Sequence, residues 1–518
     1  MIRQSSLTSV VAGGSVLAGL LLDAVVAAKF GAGRTTDSFF VAARIPLGLN
    51  AVVVAAANQA LVPAISKSLV TRTEGETWRL VSTILTVVVA GGALLVALST
   101  AVALPLMRVT APGLSASEVQ LAASLAPVVF LMVPLVSCSE VLRALLNARF
   151  SFVAPAATGL MLNGVSALLI LALAHHNIHV VAWAYAAGAG AQVAFMFVFS
   201  LTRGFKFRPS LRITDPHVAA VGRLCVRPVV ASGANPLARV GEQLMVSFLP
   251  PGSITILGYG YRLISAVGGT VFFRSVIVAM VPRLTRAFAT ADSESAVRIS
   301  RLGLRIMLTL SVPLTALMAV LARPTATVVF RRGGFTTADA ALLGAVLSVY
   351  SASLIGSALQ RALLAPFFAK LDTRTPLRNT LYGVGANLVL LPVMVLPWGR
   401  SNPEAVLGVA IAYSVAQYVN VGHALYRSRS LVGDPFEGSA TFILRLVLAS
   451  GVSAAVMMAL IGPFALDHHH NRWVLLALTA AVGVVGLAAL GAAMAAMAGR
   501  ELKGSWTALR EDRRATAL

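Results

Sequence analysis

Arg44 and Arg262 each lie inside a long apolar stretch of the chain, with no carboxylate within a helical turn. A charge at the centre of a bilayer costs at least ~2.5–3.5 kcal/mol on insertion scales. Two arginines kept in such places call for a water-filled cavity. A guanidinium there can fork onto two phosphate oxygens at once, which suits an anionic cargo. Other polar residues share these stretches: Asp23, Asn50, Asn58 and Gln59 near Arg44, with Asp37 at the outer edge, and Arg239, Glu242, Gln243 and Arg274 near Arg262. Arg239 and Glu242 stand three apart on one helix face. They form either a self-neutralising pair that glues helices or part of the same polar site.

The elements that carry these residues are membrane spans. Fourteen apolar stretches, from 5–28 to 472–498, each reach the ~20 residues that cross a bilayer as a helix. The seventh and eighth, which hold the second polar group, are expected at 217–249 and 254–281. The chain is 58% hydrophobic and 12% charged, with a mean hydropathy of +0.84, too few charges to cover a soluble protein of this length. The expected class is an all-α polytopic membrane protein. The stretch after Arg3 is too long for a cleaved signal peptide and contains Asp23, so it is read as a retained first span.

A net charge of +22 would suit nucleic acid, but the basic residues are scattered over short loops and form no single patch. They gather in alternate loops instead, as in Lys67, Arg72 and Arg79, then Arg203, Lys206 and Arg208, then Lys370, Arg374 and Arg378. The positive-inside rule puts these loops and both termini on the cytoplasmic side of the membrane. Cys138 and Cys225, the two cysteines, imply neither a metal site nor a disulfide framework.

The chain repeats itself. Arg143-Ala144-Leu145-Leu146, Phe150 and Pro155 recur as Arg361-Ala362-Leu363-Leu364, Phe368 and Pro376, and Val62-Pro63 recurs as Val281-Pro282. Arg262 follows Arg44 at the same spacing. Six spans separate the copies, so the halves are expected as parallel repeats with a site at their interface. The expected domains are a six-helix lobe over 1–212, a second over 213–430, and two extra helices with a cytoplasmic tail over 431–518.

No enzyme signature is present. No Gly-Lys dipeptide exists for a phosphate-binding loop, and neither HExxH nor CxxC occurs. His175, His176 and His179, and His468 to His470, are expected as solvated loop residues and not as metal ligands. No cofactor is implied.

The run Asp23 to Pro46, with Phe30-Gly31-Ala32-Gly33, Asp37-Ser38-Phe39-Phe40 and Arg44-Ile45-Pro46, resembles the MurJ/MviN family of lipid II flippases. So do Gln59-Ala60-Leu61-Val62-Pro63, Thr110-Ala111-Pro112-Gly113, Phe330-Arg331-Arg332-Gly333-Gly334-Phe335-Thr336 and Ala365 to Pro376. The resemblance implies the MOP-exporter fold: two six-helix lobes around a central cavity, with the last two helices forming a groove for a lipid tail. It implies a polyprenyl-diphosphate-linked cell-wall precursor as cargo, membrane lipids and cell-wall synthesis proteins as partners, and leaves the coupling ion open. The family's cavity residues match Ser15, Asp23, Asp37, Arg44 and Arg262. Two arginines that the family places in the first span correspond to Val16 and Leu22, and a third to about Asn50, leaving Arg239 and Arg274 as candidate replacements. These departures keep two other readings open: a flippase for a different lipid-linked glycan, and a transport-inactive membrane scaffold.

Overall fold

The computed structural model describes residues 2–174, 177–210, 216–269, 272–464 and 471–515. Among these the secondary structure is helical, with no strand. The helices are α1 (Ile2–Phe30), α2 (Arg34–Thr71), α3 (Glu74–Thr110), α4 (Ala116–Ala148), α5 (Val153–Leu173), α6 (Ile178–Thr202), α7 (Pro216–Val246) and α8 (Ser253–Gly269). They continue with α9 (Phe272–Ala289), α10 (Ser293–Val320), α11 (Ala322–Phe330), α12 (Thr337–Ala369), α13 (Arg374–Trp398), α14 (Ala405–Val432), α15 (Ala440–Ile461) and α16 (Arg472–Ala515).

Twelve of the described helices are long and apolar enough to cross a membrane. The remaining two expected spans fall on α7 and on the pair α8 and α9. There Arg223, Arg239 and Glu242, with Pro228 and Pro236, dilute α7, and Arg274, Arg283 and Arg286 dilute α9. The expected eighth span at 254–281 covers α8 and the start of α9, with residues 270 and 271 outside the described ones. His175, His176 and His468 to His470 lie outside the described residues.

Local chemistry sets the helix starts. Thr73 opens α3 with a reciprocal cap: its backbone N–H donates to Glu76 Oε2 at 3.0 Å, and its hydroxyl accepts from the Glu76 N–H at 3.3 Å. Ser115 and Glu118 repeat the device at α4, with the Ser115 N–H donating at 2.8 Å. Such caps satisfy donors that would otherwise be orphaned in an apolar surround.

The chain forms two compact units, one of Met1–Tyr259 with Arg332–Thr336 and Leu391–Val406, the other of Gly260–Arg331, Thr337–Leu390 and Leu407–Leu518. In the first, α1 packs on α5, α5 on α6, α2 on α7 and α3 on α4. Its core gathers Ile65, Trp78, Val81, Leu142, Leu145, Leu146 and Met196. In the second, α10 packs on α12 and α15 on α16, around Phe273, Leu304, Met307, Ala358, Leu363 and Leu446.

Between membrane helices the hydrophobic effect is absent, so close backbone approach and cross-helix hydrogen bonds replace it. The contact of α5 with α6 shows both. Ser166 Oγ donates to the Ala184 carbonyl at 2.9 Å, and a Cβ on Gly188 would stand 2.4 Å from the Leu162 carbonyl oxygen. Gly188→Val is expected to cost about 1–3 kcal/mol of stability, since overpacking forces the backbones apart. Thermal unfolding in detergent checks it; an unchanged midpoint would contradict the contact.

Candidate functional site

The first compact unit gathers most of the polar residues singled out from the sequence. α1 ends at Phe30, and Gly31 turns the chain with φ +68°. The 332–336 segment packs here: Gly334 N–H donates to the Ala28 carbonyl at 2.8 Å. A Cβ on Gly31 would lie 2.4 Å from the Gly334 carbonyl oxygen, so only glycine allows this approach. The shared Gly-Gly of the 330–336 motif thus closes against the Gly31 turn of the first motif.

Asp37 sits one turn into α2 and is 2% exposed. Its Oδ2 accepts from the Gly252 N–H at 2.6 Å, and its Oδ1 accepts from the Thr255 N–H at 2.8 Å and the Thr255 hydroxyl at 2.6 Å. Asp37 therefore caps the first turn of α8 from another helix. A carboxylate is well placed there, because helix N–H groups and the helix dipole both favour negative charge. Both of its oxygens face the protein.

Arg44, two turns further along α2, is half-buried, and its Nε donates to Gln243 Oε1 at 3.0 Å. Gln243 is buried and its amide donates in turn to the Thr110 carbonyl at 3.3 Å. This chain from α2 through α7 to the end of α3 fixes the plane of the guanidinium. Arg239 donates to Glu242 Oε2 at 2.6 Å, so the two charges on α7 form a pair, with Glu242 buried. Asn50 is half-buried, and its Oδ1 is buried without a hydrogen-bond partner among the described residues.

Beyond Asn50 the α-helical ladder of α2 slips by one residue over Ala57–Leu61, where the Val62 N–H reaches the Ala57 carbonyl. Asn58 lies in this π-turn, and its side-chain amide donates to the Val54 carbonyl at 2.9 Å, supporting the backbone where the pattern changes. Asn58 and Gln59 are exposed, inside a stretch otherwise apolar.

The other expected site residues fall elsewhere. Ser15 Oγ donates to the Ala156 carbonyl at 2.8 Å and joins α1 to α5. Asp23 is buried on α1. Arg262 is half-buried on α8 and belongs to the second compact unit. Arg274 lies on α9, and its side chain is outside the described residues. Leu22 is 1% exposed, whereas Val16 is half-buried.

The sequence reading missed Gly252 and Thr255. A signal was present: Thr255 follows Asp37 at the spacing that relates Arg262 to Arg44.

Solved structures place this fold. The chain is similar to a lipid II flippase MurJ in an inward closed conformation, with TM-score 0.76, 19% identity, and coverage of 96% of this chain and 99% of that one. It is also similar to a multidrug resistance MATE family transporter of the MOP superfamily in an inward-facing conformation, with TM-score 0.65, 13% identity, and coverage of 84% and 96%. The protein is a multi-span membrane protein with the fold of these transporters. The sequence profile described as Lipid II flippase MurJ matches residues 26–483, and the chain belongs to that family. Among curated relatives, the probable lipid II flippase MurJ of Vibrio cholerae is 27% identical over 458 residues, 85% of each chain. The lipid II flippase MurJ of Burkholderia cenocepacia is 25% identical over 462 residues, 86% of this chain and 87% of that protein.

Asp37→Ala is expected to cost ~1–3 kcal/mol, because it strands the buried donors of Gly252 and Thr255. Asp37→Asn, which keeps one acceptor, should cost less. Thermal unfolding of the two variants checks the order; an Asp37→Ala protein as stable as the parent would show that the cap is dispensable.

Proposed function

We propose that this protein flips a lipid II-like, polyprenyl-diphosphate-linked cell-wall precursor from the cytoplasmic to the outer leaflet, for peptidoglycan synthesis. The family match over residues 26–483 is the observation that carries the reading. It acts as a transporter and not as an enzyme. In this reading the lobes are those over 1–212 and 213–430, Arg44 and Arg262 are the cationic site residues at matching places in the repeat, and both chain termini are cytoplasmic. The two helices after residue 431 hold the lipid tail.

Alternating access requires one end of the cavity to open as the other closes. The contacts of Gly31 with Gly334, and of Asp37 with the start of α8, form the outer closure in this reading. They combine hydrogen bonds and close glycine contacts with a buried aromatic cluster, in which Phe40 meets Tyr259 edge-on at 5.4 Å and Tyr259 meets Phe335 at 6.2 Å, so opening in this reading must part these rings as well. Moving negative charge out of an inside-negative cell is favoured by roughly 2.3 kcal/mol per charge per 100 mV, so hydrolysis of ATP is not needed.

Arg262 is the diphosphate anchor of this scheme, with Arg44 opposite in the repeat and Ser15, Asp23, Asp37, Asn50, Arg239 and Arg274 completing or framing the cavity. Of these, Arg239 is paired with Glu242, and Asp37 is held by the first turn of α8. One observation favours a second reading, a different lipid-linked glycan: buried Leu22 occupies a position that is an arginine in the family, so a cation is missing and the space for it is filled.

Two experiments test this. Expression in a strain depleted of its own lipid II flippase should restore growth; failure by a well-expressed protein favours the other glycan. Arg262→Ala should lower flipping about tenfold or more, as loss of a charged hydrogen bond worth ~1.5–3 kcal/mol predicts, while the fold persists. Arg262→Lys should recover part of it, since a point charge lacks the guanidinium fork. Transport by Arg262→Ala equal to the parent would move the anchor elsewhere.

A further inference from the structure

Phe150, Ala291 and Leu371 are the non-glycine residues with positive φ among those described, at +57°, +55° and +58°. Each closes the C-terminus of a helix by the same hydrogen bond, from the residue after it back to the carbonyl five positions earlier. Ser151 N–H reaches the Leu146 carbonyl, Asp292 N–H the Ala287 carbonyl and Asp372 N–H the Phe367 carbonyl, all at 2.9 Å. Gly204 makes the same turn after α6, where the Phe205 N–H reaches the Ser200 carbonyl. The turn itself therefore asks for glycine, and a bulky residue there is strained.

Phe150 and Leu371 are also among the most exposed large apolar residues, at 80% and 88%. Strain without burial has no return inside the protein. Phe152 and Phe368 beside them are exposed as well. Basic groups stand at both turns. Arg149, paired to Glu74 at 3.0 Å, bonds the Arg203 carbonyl at 2.7 Å near exposed Lys206 and Arg208, and exposed Lys370 and Arg374 flank Leu371 and Asp372. The turns follow α4 and α12 and are 221 residues apart, as Pro155 and Pro376 are, while the motif pairs Phe150 with Phe368 three residues earlier.

We propose that Phe150 and Leu371 are membrane anchors, one on each repeat, which insert into the head-group region of the cytoplasmic leaflet while their basic neighbours hold anionic lipid phosphates. The inference rests on the cytoplasmic placement of these turns in the reading above. An apolar side chain beside cations at a span end fits that interface: its burial in lipid offsets the backbone strain, and the leaflet's negative surface attracts the cations. Each repeat thereby has a fixed foot on the membrane about which it can rock.

The test uses the full chain with Cys138→Ala and Cys225→Ala, carrying a nitroxide at Phe150→Cys, Leu371→Cys or, as a reference at exposed Ser293, Ser293→Cys, in nanodiscs containing phosphatidylglycerol. At positions 150 and 371 the ratio of oxygen to nickel-chelate accessibility should exceed that at 293 several-fold. Equal ratios at all three would mean solvated turns, and exclusion of both probes at 150 and 371 would mean contact with a protein; either overturns the proposal. In detergent, phosphatidylglycerol should raise the melting midpoint of the parent more than that of the Phe150→Gly/Leu371→Gly variant, which keeps the turn and loses the anchors. Equal gains would also overturn it. Neither readout uses transport, so failure of the flippase reading would show separately.

Discussion

A bilayer offers no water to a polar group, and that constraint orders the structure. Most of the polar side chains described in the first unit are answered by a partner from the protein, Asn50 Oδ1 being an exception among the described residues. Asp37 is held by the first turn of α8, Arg44 by Gln243, Glu242 by Arg239, and Asn58 by a carbonyl at its own π-turn. The bonds of Asp37 and Arg44 join different helices, α2 to α8 and α2 to α7, whereas those of Glu242 and Asn58 stay within one helix. In water the same bonds would each contribute about 1 kcal/mol; in an apolar surround the cost of leaving one unmade is larger, so they specify which helices meet.

Much of this was legible in the sequence, and the limits are instructive. Long apolar runs gave the helices because length alone decides whether a segment spans. The Arg239–Glu242 pair followed from a spacing of three on one helix. Asp37 was different: its place in a span marked it as functional, but its partners lie more than 200 residues away in sequence, and no local pattern announces a cap supplied from another helix. The π-turn at 57–61 was equally hidden, since α and π segments share composition.

Leu22 and Val16 contrast in a way that bears on the proposed function. Leu22 is packed, so an arginine at that position would bury an ion. Val16, half-buried, is a position where a charge could stand without that cost. A transporter of an anionic cargo with few cations must hold it with those present, and the proposed function puts that demand on Arg44 and Arg262.

The most direct measurement of the central claim is translocation of labelled lipid II by the purified protein in sealed vesicles, read as the fraction that becomes accessible on the far leaflet. The account predicts transfer well above protein-free vesicles, rising when the membrane potential is negative on the side of loading. Transfer no faster than in protein-free vesicles, from a folded and correctly inserted protein, would contradict it.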